Sequence, residues 1–95
     1  MDFGKIWNNI IKYQEELFST VTGKEFTYKI YDNNYLCVTR INGDKINEIN
    51  RRISKENIKK AFTIINPDYT KLNNAGIQGP SYVLAIMTDE RITQK

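Results

Sequence analysis

Two alternating runs joined by a tight-turn signal constrain this chain more than any other feature. In Glu25–Tyr31, Phe26, Tyr28 and Ile30 alternate with Thr27, Lys29 and Tyr31. A period of two sends successive side chains to opposite faces of a strand, which predicts one apolar face and one polar, aromatic face. Asp32-Asn33-Asn34 follows, and such side chains tolerate left-handed backbone and bond to their own main chain. The chain returns through Tyr35–Ile41, again rich in β-branched and aromatic residues. The pair reads as an antiparallel hairpin. Asn42-Gly43 is a second turn signal, since both residues accept positive φ, and it opens a third strand over 45–49. The apolar residues there, Ile46 and Ile49, are three apart and alternate poorly.

A hairpin in water needs something to cover its apolar face. Phe3, Ile6, Trp7, Ile10, Ile11, Leu17, Phe18 and Val21 recur at intervals of three and four, which predicts an amphipathic helix over 3–21. Asp2 caps its start and Gly23 ends it in left-handed geometry. Gln14 interrupts the apolar stripe. It is either a specificity device in a helix–helix or dimer interface, or a side chain bonded to nearby backbone at the core's edge.

Ser54 is a good N-cap for a second helix carrying Ile58, Ala61, Phe62 and Ile65, which Asn66-Pro67 stops. Residues 66–79 read as loop, with one helical turn at Tyr69–Asn73. Tyr82–Met87 is an unbroken apolar run in which strand and helix have the same signature. Pro80 and Ala85 favour a helix over 80–88, and residues 89–93 are expected to add a short edge strand. The expected class is α+β in a single domain over 1–95. Its parts are an N-terminal amphipathic helix, a two- or three-stranded antiparallel meander, and two further helices packed on one sheet face.

Composition narrows the chemistry. Ninety-five residues with 40% hydrophobic and 26% charged content suit one folded core. No apolar run reaches the roughly 18–20 residues of a membrane span, and no basic-then-apolar leader opens the chain, so no membrane partner is expected. The lone Cys37 has no internal disulfide partner, which fits a reducing, cytoplasmic compartment. With no histidine and one cysteine, the common general base, the Ser-His and Cys-His nucleophile pairs and the usual zinc sites are missing. No glycine-rich phosphate loop occurs either. Asp68 and Lys71 have a superficial flavour of metal-dependent nuclease chemistry, but Asp68 reads better as a turn residue or helix cap. No enzyme, cofactor or metal is expected.

The net charge of +3 is unevenly placed. Residues 40–60 hold Arg40, Lys45, Arg51, Arg52, Lys55, Lys59 and Lys60 against three carboxylates, a local +4. Such a segment neutralises phosphates without regard to base sequence, or meets an acidic protein surface, or is simply a solvated helix face. Tyr35 and Tyr31, with Lys29 and Arg40 if the hairpin register places them together, would add a stacking platform on the sheet's outward face. The leading expectation is a non-enzymatic module that binds DNA or RNA through Arg40, Arg51, Arg52, Lys55, Lys59, Lys60 and Tyr35. The alternatives are an adaptor or inhibitor of a host or bacterial protein, and a homodimeric scaffold using the Trp7 helix face.

Three strings stand out beside these readings: Gly23-Lys24-Glu25-Phe26-Thr27-Tyr28, the helix start Ile53-Ser54-Lys55, and Gly79–Ile86 followed by Asp89-Glu90-Arg91-Ile92. On these strings the chain resembles short proteins of bacteria, phages and other mobile elements. The resemblance implies an accessory or anti-defence role exercised by binding, and it assigns no functional residue.

Overall fold

The computed structural model describes residues 2–42 and 45–93, with side chains from 2–41 and 52–93. The protein is α+β: an N-terminal helix, a four-stranded antiparallel sheet and further helices. The elements run α1 (Phe3–Lys12), β1 (Phe18–Ser19), β2 (Glu25–Tyr31), β3 (Tyr35–Asn42), β4 (Lys45–Ser54), α2 (Lys55–Ala61), α3 (Tyr69–Asn74), α4 (Pro80–Thr88) and α5 (Glu90–Thr93). The sheet is a simple meander in the order β1-β2-β3-β4.

The hairpin expected from the alternating runs is present, with Tyr28 opposite Val38, Ile30 opposite Leu36, and Tyr31 opposite Tyr35. Its turn uses the left-handed tolerance of Asp32 (φ 54°) and Asn33 (φ 56°), and Asn34 N closes it by donating to Tyr31 O. The third strand exists and extends well past Ile49, to Ser54. The pairing steps from Val38–Arg51 to Thr39–Glu48, leaving Ile49 and Asn50 as extra residues in β4. This bulge coincides with the irregular Ile46–Ile49 spacing, because period two is lost where a bulge inserts residues.

The first helix is shorter than its periodicity suggests. It stops at Lys12, and Glu15 turns the chain with φ 70°. Two interactions favour the break over continued helix. Glu15 N donates to Tyr28 O along the sheet edge, and Phe18 enters the core against Phe26 and Tyr28, 2% exposed. Leu17 and Val21, which helical spacing would have buried, are 49% and 81% exposed. Gly23 is left-handed as expected, but it serves the β1–β2 turn, where its N–H donates to Thr20 O. Gln14 takes the second of its two predicted roles: its Oε1 accepts from Ile30 N at 3.1 Å.

Ser54 caps α2 through Asn57 N, and Asp68 caps α3 through Lys71 N. The second helix closes at Ala61, so Ile65 is exposed while Ile64 packs on the core. The apolar run 83–87 is helical and buried throughout, which explains its missing periodicity: a helix covered on all sides has no polar stripe. Pro80 sits in its first turn behind Gly79, buried and at φ 57°, a backbone that a side chain would strain. Residues 90–93 form α5, not an edge strand. Asp89 Oδ1 accepts from Arg91 N and Asp89 O from Ile92 N, which winds the segment, and Ile92 locks it into the core.

The core lies between one sheet face and the helices. Phe26, Tyr28, Leu36, Val38 and Ile53 meet Trp7, Ile10, Ile58, Leu72, Val83, Ile86 and Ile92. Phe26 is fully buried, and truncating such a ring to alanine costs about 3–5 kcal/mol. The sheet's other face stays open at Lys29, Tyr31, Tyr35 and Arg52.

Candidate nucleic-acid interface

Alternation along β2 and β3 assigns the open face. Once Phe26, Tyr28, Leu36 and Val38 point to the core, Thr27, Lys29, Tyr31, Tyr35, Cys37 and Thr39 must point away. Pairing then aligns rows across strands: Tyr31–Tyr35–Ser54 and Lys29–Cys37–Arg52. Strands spaced about 4.8 Å apart put the Lys29 and Arg52 backbones about 10 Å from each other.

Tyr31 and Tyr35, directly opposed at the turn, are 49% and 37% exposed. The Arg52 guanidinium lies over the Tyr35 ring, 5.3 Å from its centroid. This is a diagonal cross-strand contact, since Arg52 opposes Cys37, two residues along from Tyr35. It holds a planar cation and an aromatic ring together on an exposed surface. Lys29 Nζ is 3.7 Å from Glu15 Oε1, with both side chains more than half exposed. An exposed pair of this kind is worth about 0–1 kcal/mol, so it does not immobilise the lysine. Glu25, on the same face of β2, opposes Ile41.

The seven residues singled out from the sequence do not all share this surface. Tyr35 and Arg52 do. Arg40 does not: it opposes Phe26 and lies two residues from Val38, on the same face, which places it on the helix-covered side of β3. The alternative register, with Arg40 beside Lys29 and Tyr31, is thereby overturned. The reason is that any shift exposing Arg40 with them would turn Tyr35, Cys37 and Thr39 to the core in place of Leu36 and Val38. Arg51 opposes Val38 in β4, and its side chain, with that of Lys45, is outside the described residues. Lys55 Nζ lies 5.3 Å from the Trp7 ring centroid, and Lys60 Nζ donates to Ala75 O at 2.9 Å. Lys59 is exposed.

One cluster escaped the sequence reading. Arg91 lies 4.1 Å over the Phe18 ring, donates to Leu17 O, and pairs with Asp89 at 2.9 Å. The hydrogen bonds from Arg91 hold the Asp89 carboxyl below the usual carboxylate range. The cluster ties α5 to the segment before β1, a structural task. Its only sequence signal was an aspartate at a helix start two residues before an arginine.

Among the described residues, no group of three or more His, Cys, Asp or Glu side chains is placed to hold a metal ion. No described helix is long and apolar enough to cross a membrane. Comparison with protein-family models, curated proteins and solved structures finds no match for this chain.

Proposed function

We propose that the protein is a binding module for nucleic acid, acting without catalysis, and that its contact surface is the open sheet face around Tyr35 and Arg52. The observation that carries this reading is the guanidinium over an exposed tyrosine, with a second tyrosine directly opposite and Lys29 one row away. A planar cation offers a phosphate two parallel N–H donors, and the rings offer apolar area to bases.

Fluorescence anisotropy with a labelled oligonucleotide tests the reading. Binding at low salt should weaken as salt rises, with a slope of log K against log salt of about −0.7 for each phosphate neutralised on a single strand. The double substitution Lys29→Glu, Arg52→Glu should remove most of that affinity and leave the unfolding midpoint within a few degrees, since both side chains are exposed. Absence of binding at low salt, or unchanged affinity in the double variant, would overturn it.

A further inference from the structure

Resting on that reading, we infer that the open face selects single-stranded over double-stranded nucleic acid, with unpaired bases stacked on Tyr35 and Tyr31. Charge alone does not distinguish the two forms, because both present phosphates. Ring geometry does. Of the described cations of the face, Lys29 and Arg52, the first stands 3.7 Å from Glu15, and Glu25 lies further along β2 on the same face, so among the described residues the surface is not a broad positive plane of the kind that holds a duplex by its phosphates alone. Its distinguishing content is aromatic. A base stacks on a ring only when its own face is free, as in an unpaired strand; in a duplex the base faces are buried in the stack.

The two tyrosines are suited to that task. They are cross-strand partners on either side of a three-residue turn with two left-handed residues, so their separation is set by a hydrogen-bonded ladder and not by a loop. The turn is itself anchored, since Asn33 Oδ1 accepts from Trp7 Nε1 in the core at 2.9 Å. Arg52 orders the Tyr35 ring from one side, and the ring keeps 37% of its surface exposed. A base can therefore meet a ring already held in place, with Arg52 beside it for the adjoining phosphate.

The test compares a 12-nucleotide single strand with a hairpin duplex of the same sequence, each as DNA and as RNA, by anisotropy at low salt. The single strand should bind at least tenfold more tightly. Tyr35→Leu should weaken single-strand binding about tenfold, Tyr35→Phe should hardly change it, and neither should alter duplex binding. Tyr31→Leu provides the same comparison at the more exposed ring, should Tyr35→Leu compromise folding. Equal affinity for both forms, or an equal loss on both in the leucine variants, would overturn the inference and leave the proposed function standing. Failure of every oligonucleotide to bind would overturn both.

Discussion

Removing one oxygen atom from the core should measurably destabilise this protein. Tyr28 is 1% exposed, and its hydroxyl donates to Ile10 O at 2.6 Å. That carbonyl lies in the last turn of α1. In a longer helix it would accept from the amide of residue 14, but Gln14 N donates to Ile11 O instead. Tyr28→Phe therefore leaves a buried carbonyl without this partner while preserving the ring's packing. An unsatisfied buried polar group costs about 1–3 kcal/mol. At this chain length that lowers Tm by roughly 5–20 °C. Urea unfolding followed by far-UV circular dichroism should show a lower midpoint with an unchanged slope. Tyr35→Phe, at an exposed ring, is the control and should stay within about 0.5 kcal/mol of the parent. The two states of Tyr28 also differ in acidity. Burial pushes its phenol well above the ordinary 10.0, with the nearby Arg91 charge opposing only in part. Above about pH 10 the unfolded chain loses this proton and the folded one keeps it, so stability falls as pH rises. That fall should be shallower in Tyr28→Phe. A loss no larger than the control's, with the same alkaline profile as the parent, would refute the reasoning.

Two other substitutions address the clamps around the core. Asp89→Ala removes the cap of α5 and the Arg91 partner, and should cost about 1 kcal/mol at pH 7. Because the folded Asp89 carboxyl is held below its ordinary 3.8, its contribution is present above that pH and lost as pH falls below it. The gap in Tm between parent and variant should accordingly narrow on going from pH 7 to pH 3. Asn33→Gly suits the left-handed backbone better but strips the acceptor from Trp7 Nε1, and it should destabilise by about 1 kcal/mol in urea unfolding. Asn33→Asp, which keeps the acceptor, should come closer to the parent. If the glycine variant were the more stable of the two, backbone geometry would outweigh the hydrogen bond.

The hairpin was legible because its information is local. Phe26, Tyr28 and Ile30 alternate within one strand, and Asp32-Asn33 holds the turn without outside help. The caps Ser54 and Asp68 and the helix 80–88 were legible for the same reason. The end of α1 was not. Leu17, Phe18 and Val21 continue a helical period almost as well as the residues before them, and only competition from the β2 edge breaks it at Lys12. Residues 89–93 wind into a helix because Asp89 caps them and Ile92 has a hole to fill, neither of which short-range pattern records. The candidate site divides along the same line. Tyr31 and Lys29 share a face by alternation within β2, and Tyr35 and Arg40, five residues apart in β3, fall on opposite faces by the same rule. That Tyr35 and not Arg40 joins the β2 pair required the register.

What the sequence by itself determined was the set of faces: which side of each strand is apolar, where the turn falls, and that the cations concentrate between 40 and 60. What only the tertiary structure decided was which of those cations stand together. Arg52 reaches Tyr35 because β4 pairs with β3 in one register, with a bulge of two residues absorbed between Arg51 and Glu48. Arg40, Lys55 and Lys60 are drawn elsewhere by Phe26's strand pairing, the Trp7 ring and the Ala75 carbonyl. The physical reason is that charge is a property of residues, whereas a binding surface is a property of register. Pairing energy and core burial are satisfied first, and they leave the charged side chains where the backbone happens to put them.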